Sequence, residues 1–369
     1  MKPETAAIHA GNFPDETNHP AIQSITTSST FDRSTPGQHT YTRASNPNRD
    51  ALENVLARLE FGADAAAFSS GNAAGMAVMQ ALSPGSHVIM PADMYHGFRW
   101  QINTLFKDIL DISYVDLTRL QELENHMKST TALIWVETPS NPLLTVTDIN
   151  SICESAHRRN IKVVCDNTLA SPVCQNPLNL GADIVMHSTT KWLGGHSDIL
   201  GGALITKEKD EFWESIRNVQ RLGGAVPSPF DCYMLVRSIK TLYYRMRGHL
   251  FNTEKLTLFL SNHPKVEKVF YPGLLSHPGH DIAQKQMNGY GALFSFLVKG
   301  TAAEADKVVA GLNYFTHATS LGGVESLIER RASVEGPDTK TPRNLLRVSV
   351  GLEHIEDLIS DMDSALAAI

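Results

Sequence analysis

Seven short apolar runs, separated by stretches of helical length, fill residues 63–207 and constrain the fold more than any other feature. They lie at 65–69, 87–90, 112–115, 132–137, 163–166, 182–186 and 203–206, with helical patterns such as 148–159 between them. Continuous apolar strands that alternate with helices need cover on both faces, so the predicted fold is α/β: a mainly parallel seven-stranded sheet flanked by helices. In such sheets ligands bind beyond the carboxyl ends of the strands, which directs attention to the residues that follow each run.

Either side of this core the pattern changes. Residues 1–45 are rich in Thr, Ser, Pro, Asn and His and lack periodic apolar positions, which fits a segment that is disordered or lies on another surface. An amphipathic helix starts around Asp50, with Leu52, Val55, Leu56 and Leu59 on one face. One long helical pattern covers 230–262, followed by strands at 293–298 and 345–350 and helices at 302–311 and 354–367. The expected division is an arm (1–45), an α/β domain (46–230) and a smaller C-terminal α+β domain (231–369).

Bulk properties exclude several classes. With 42% hydrophobic and 19% charged residues the composition is that of a globular protein. A net charge of −7 provides no electrostatic footprint for nucleic acid. No apolar run approaches the roughly 18 residues of a membrane span, and the first residues lack the apolar region of a secretory signal. Cys153, Cys165, Cys174 and Cys232 show no paired spacing, which reads as reduced structural thiols in a cytoplasmic protein.

Four positions after strands can carry chemistry. Ser69-Ser70-Gly71-Asn72 opens a helix, either a simple N-cap or an anion site made by free N–H groups and the helix dipole. Tyr95 is a packing residue or a face on which a planar cofactor stacks. Asp166 ends an apolar strand, where a carboxylate is costly unless it caps a turn or meets a cation such as a protonated pyridine nitrogen. Lys191 stands on a turn between Ser188, Thr190 and a double glycine, which is either a surface lysine in a polar loop or the place for an amine that forms a Schiff base. Anion site, aromatic face, carboxylate and lysine together make the set that pyridoxal 5′-phosphate requires.

The motifs resemble those of the Cys/Met-metabolism group of fold-type I pyridoxal-phosphate transferases, which includes cystathionine γ-synthase, the cystathionine γ- and β-lyases and methionine γ-lyase. The resemblance rests on Tyr41-Thr-Arg43-x-x-Asn-Pro, Ser69-Ser-Gly71, Glu137-Thr-Pro-Ser-Asn141-Pro, Val164-x-Asp166-Asn-Thr, His187-Ser-Thr-Thr-Lys191-x-Leu-Gly-Gly-His-Ser-Asp, Ser320-Leu-Gly-Gly-Val-Glu325-Ser and Leu346-Arg347-x-Ser-Val-Gly-Leu-Glu. It implies that Lys191 holds the cofactor and shuttles protons, that Asp166 keeps the pyridine nitrogen protonated, and that Tyr95 stacks on the ring and assists as acid or base. By the same resemblance Ser70, Gly71, Asn72, Ser188 and Thr190 hold the phosphate, joined by Tyr41 and Arg43 from a neighbouring subunit. Arg347 takes the substrate α-carboxylate, and Asn141 and Ser320 complete the substrate and cofactor contacts. The implied assembly is a homotetramer built as a dimer of dimers.

The resemblance favours γ-elimination or γ-replacement of the cystathionine γ-synthase or γ-lyase type. Methionine γ-lyase and cystathionine β-lyase chemistry remain open, as does a catalytically silent binding protein on the same fold. The chain departs from the family at His96-Gly97-Phe98, where His96 reads as a satisfied surface histidine rather than a second titrating group. It departs again at 329–338, where Arg330 and Arg331 read as solvated charge rather than contacts for an acidic substrate group. His277 and His280 read as loop residues rather than metal ligands.

Overall fold

The computed structural model describes residues 1–13, 19–34, 37–336 and 339–369. The departure at 329–338 is therefore described only as far as Gly336; its last two residues, Pro337 and Asp338, lie outside the described residues.

The seven apolar runs form one sheet. Its strands are β1 (Asp64–Phe68), β2 (His87–Pro91), β3 (Asp111–Val115), β4 (Thr131–Glu137), β5 (Lys162–Asp166), β6 (Ile184–His187) and β7 (Gly202–Thr206), in the spatial order β1-β7-β6-β5-β4-β2-β3. All pairings among β2 to β6 are parallel, and only β7, between β1 and β6, runs against its neighbours. Apolar clusters cover the sheet on both faces, one including Leu56, Ile134 and Val185 and the other Phe68, Trp135 and Trp213. The alternation of strand and helix demanded this layering, and its effect is to bring the carboxyl ends of β1, β2, β4, β5 and β6 to one edge.

A second sheet follows: β8 (Val266–Phe270), β9 (Leu293–Val298), β10 (Thr316–His317), β11 (Leu327–Arg330) and β12 (Leu345–Ser349), ordered β10-β11-β12-β9-β8. Only β9 and β12 were visible as apolar runs. Its own apolar cluster packs Phe294, Phe296 and Leu346 against helices Ala302–Gly311 and Ile355–Ala367.

Three sequence expectations are corrected. The helix expected around Asp50 starts at Pro47, because Asn46 caps it by accepting the Asn48 N–H at 2.9 Å and proline suits the first helical position. The single helix expected over 230–262 is two, Pro229–Ile239 and Leu242–Ser261. At the break the Ser238 carbonyl accepts the Thr241 N–H and hydroxyl, each at 3.2 Å, and Arg245 Nη2 adds a further bond at 3.1 Å. Within 1–45 a short helix, Pro3–His9, buries Ala6 and Ala7 against Pro47–Leu59; two alanines leave too faint a period to read.

Candidate active site

A cavity of about 460 Å³ opens where the strand ends meet the second sheet, and it is lined by Ser70, Gly71, Asn72, Tyr95, Asp166 and Lys191 among others. Asn141, Ser188, Thr190, Ser320 and Arg347 also line it, so eleven of the thirteen residues singled out in the sequence converge on one space. Its size suits a small ligand. A larger neighbouring cavity of about 790 Å³ shares His96 and Glu137 with it but lacks the lysine.

Tyr41 and Arg43 are the two that do not converge. Tyr41 is half exposed and bridges to Thr30, while Arg43 donates to the Arg221 carbonyl. Within one chain neither reaches the cavity.

The phosphate-type end is made by two turns pressed together. Ser70 caps helix Gly71–Gln80 by accepting the Ala73 N–H at 3.0 Å, which leaves the first N–H groups facing the cavity. A methyl group on Gly71 would sit 2.9 Å from Ser188 Cβ, so only glycine lets the β1 and β6 turns approach this closely. The Ser188 hydroxyl has no hydrogen-bond partner among the described residues. Thr190 Oγ1 is already engaged, donating to the Gly201 carbonyl at 3.1 Å and accepting the Gly201 N–H at 3.0 Å.

At the other end lie two carboxylates. Asp166 and Glu137 are direct neighbours at the ends of β5 and β4. Burial raises the Asp166 pKa, against the pull of its bonds to Thr168, and no cation pairs with it among the described residues. Burial, and then the charge on Asp166, push Glu137 well above the ordinary carboxylate range. Glu137 was quoted in the sequence only as part of a motif, yet it fixes two site residues. Its carboxylate accepts the Tyr95 N–H at 2.8 Å and the Asn141 N–H at 2.9 Å.

Lys191 donates to Ser320 Oγ at 2.7 Å. Burial, reinforced by the nearby Arg347 charge and opposed by Glu329, lowers its pKa from 10.5 to about 8. The loop carrying Ser320 lies flat on the lysine backbone: Gly322 has φ +86°, and a side chain there would meet Trp192 N at 2.6 Å. Arg347 is buried, donates to the Ser320 carbonyl at 2.8 Å and Asn141 Oδ1 at 3.2 Å, and pairs with Glu329.

The departures resolve unevenly. His96 is half-buried between the two cavities and makes no hydrogen bond among the described residues. Arg330 pairs with Asp306 at 2.6 Å near the surface, but Arg331 is only 5% exposed and lines the cavity. The expectation of solvated charge fails for Arg331, because Glu329 and Glu335 draw it inward. His277 and His280 are both buried, their Nδ1 atoms occupied by the Gly279 N–H and the Pro272 carbonyl.

This constellation fits the group read from the sequence. A depressed lysine amine, a buried carboxylate without a cation and a helix N-terminus face one another across one cavity. A profile described as Cys/Met metabolism PLP-dependent enzyme matches residues 4–367. The chain belongs to that family. It depends on pyridoxal phosphate, and its fold is the fold-type I architecture of the family. A cystathionine gamma-synthase of Mycobacterium tuberculosis is 46% identical over 376 residues, spanning 99% of this chain and 96% of the relative. A cystathionine gamma-lyase of Dictyostelium discoideum is 42% identical over 375 residues, spanning 98% and 97%. The solved cystathionine gamma synthase of Xanthomonas oryzae pv. oryzae in complex with cystathionine superposes with a TM-score of 0.96 at 38% identity, covering 100% of this chain and 98% of that one.

Proposed function

We propose that this chain is a transsulfuration enzyme that performs γ-elimination or γ-replacement on sulfur amino acids, as a C–S lyase or γ-synthase. The observation that carries the reading is the depressed Lys191 amine held by Ser320 within a cavity that also presents Arg347 and Asp166. The names of the full-length relatives support the substrate class.

Pyridoxal phosphate, when bound, supplies the electron sink that lets a Cα–H bond ionise. The residues of this chain do the rest. The Ser70–Asn72 turn with Ser188 and Thr190 would hold its phosphate. Tyr95 would cover the ring, and Asp166 would keep the ring nitrogen protonated. Arg347, positioned by Asn141 and Ser320, binds the substrate α-carboxylate through its planar fork. That clamp fixes Cα and Cβ relative to Lys191 Nζ, which takes the Cα proton and then serves at Cβ, as γ-chemistry requires.

Tyr41 and Arg43 are assigned to the phosphate site of a neighbouring subunit. Their exposure away from their own cavity supports this pairing of two chains, and the homotetramer of two such dimers rests on the family resemblance. The four buried free cysteines support a cytoplasmic setting. Two sheets, each with an apolar cluster of its own, support a larger and a smaller unit, while a third cluster joins Ala7 and the first sheet to Cys232, Leu235 and Leu293 across the proposed bounds of 1–45, 46–230 and 231–369.

The test offers cofactor-loaded protein cystathionine, methionine, and an acylhomoserine with cysteine in parallel, and identifies the products. Cystathionine from the acylhomoserine marks γ-replacement, and cysteine with 2-oxobutyrate from cystathionine marks γ-elimination. Pyruvate with homocysteine would overturn γ-chemistry in favour of β-cleavage, and methanethiol with 2-oxobutyrate from methionine would keep γ-elimination but overturn the cystathionine γ-synthase or γ-lyase type.

A further inference from the structure

Two arginines on the cavity wall share one carboxylate oxygen. Glu329 faces Arg347 across the antiparallel pairing of β11 with β12. Its Oε1 receives both Arg347 Nη2 and, at 2.9 Å, Arg331 Nη1. Glu329, Arg331 and Arg347 are each 5% exposed or less, so solvent screens little of this charge. Arg331 Nε continues to Glu335 Oε1 at 2.8 Å, and the other oxygen of Glu335 accepts the Thr339 and Thr341 hydroxyls at 2.6 Å each. Glu335 lines the larger neighbouring cavity, while both arginines line the one holding Lys191.

The charge balance has a direct consequence. A buried Arg347–Glu329 pair alone would be neutral, and an incoming carboxylate would have to compete with Glu329 for the same guanidinium. Arg331 draws on the same Glu329 oxygen, so Glu329 is divided between two guanidinium groups instead of being held by Arg347 alone. Glu335 offsets the charge of Arg331 through its Oε1 while its other oxygen is held by two hydroxyls, so the four groups are neutral together and what Arg331 alters is the hold of Glu329 on Arg347.

We propose that Arg331 is a positioning residue for substrate recognition: by sharing Glu329 it weakens the hold of that carboxylate on Arg347 and leaves the Arg347 guanidinium available to a substrate carboxylate. The proposal rests on the assignment of the α-carboxylate to Arg347. It goes further in giving a role to a residue that reads in sequence as surface charge, and in making carboxylate affinity depend on a side chain that need not touch the carboxylate.

The experiment measures binding of L-norvaline, which lacks a γ-leaving group, and of 1-aminobutane, its counterpart without the carboxylate, to cofactor-loaded protein. Arg331→Met is expected to weaken norvaline binding about tenfold or more, as loss of one partner of a buried charge pair does. Binding of 1-aminobutane stays within about twofold, and on a turned-over substrate KM rises while kcat holds within about threefold. Adding Glu329→Gln to Arg331→Met removes the competing anion and restores most of the norvaline affinity. Glu329→Gln alone tightens norvaline binding, which keeps the idea testable if Arg331→Met does not fold. Unchanged norvaline affinity in Arg331→Met, or equal weakening for both ligands, overturns the proposal. So does a double variant no better than Arg331→Met. Arg347→Met separates the underlying reading: if it leaves norvaline binding intact, the assignment of Arg347 fails, whatever Arg331 does.

Discussion

The titration of Lys191 exposes the physical argument to a quantitative test. Only the neutral amine attacks the cofactor aldehyde, so the rate of cofactor capture by the apo protein follows the neutral fraction. A lysine at its ordinary 10.5 is almost wholly charged at pH 7, and lowering the value to about 8 raises the neutral fraction about 300-fold. The rate of absorbance change on mixing apo protein with pyridoxal phosphate, divided by that of a free lysine analogue under the same conditions, cancels the titration of the cofactor. The ratio should stay near its maximum of about 300 below pH 7, fall to half near pH 8 and approach unity above about 10.5. Arg347→Met removes a charge that lowers the lysine value, so its midpoint should move up; Glu329→Gln removes one that raises it, so its midpoint should move down. A wild-type midpoint near 10, or identical midpoints in all three proteins, would refute the reasoning.

Three further outcomes follow from the same geometry. Because the folded-state value of Lys191 is depressed, the unfolded chain binds the extra proton between about pH 8 and 10.5, so the penalty for burying the amine is full below 8 and fades as pH rises. Lys191→Met should therefore stabilise the apo protein by about 2 kcal/mol at pH 7, after allowing about 1 kcal/mol for the lost bond to Ser320, and by much less at pH 10 in denaturant titrations. Gly71→Ala forces a methyl against Ser188 and should cost roughly 1–3 kcal/mol, read as weaker cofactor retention on equilibrium dialysis. Mixing inactive Lys191→Ala with impaired Arg43→Ala should rebuild about a quarter of the sites through mixed dimers; no recovery after subunit exchange would remove Arg43 from the neighbouring site.

The large sheet was legible because each of its strands is a continuous apolar run, which a parallel sheet buried on both faces imposes locally. The second sheet was not. Val266–Phe270 exposes two charged residues, Leu327–Arg330 is half charged, and Thr316–His317 is two residues long, so these strands exist through partners far away in sequence. The site residues followed the same division. Lys191, Asp166, Tyr95 and Gly71 stand directly after apolar runs, where topology alone makes them suspect. Glu137 and Arg331 were missed because their meaning depends on register: Glu137 matters by lying opposite Asp166, and Arg331 is buried through a glutamate that lies opposite Arg347. A charged residue reads as surface until its counter-charge is placed in space.

The central claim is that Lys191 holds the cofactor. Borohydride treatment of the cofactor-loaded protein, followed by digestion and mass mapping, tests it most directly. The account predicts loss of the visible absorbance band and a single phosphopyridoxyl group on the peptide containing Lys191. A label on any other lysine, or a band that persists in Lys191→Ala, would contradict it.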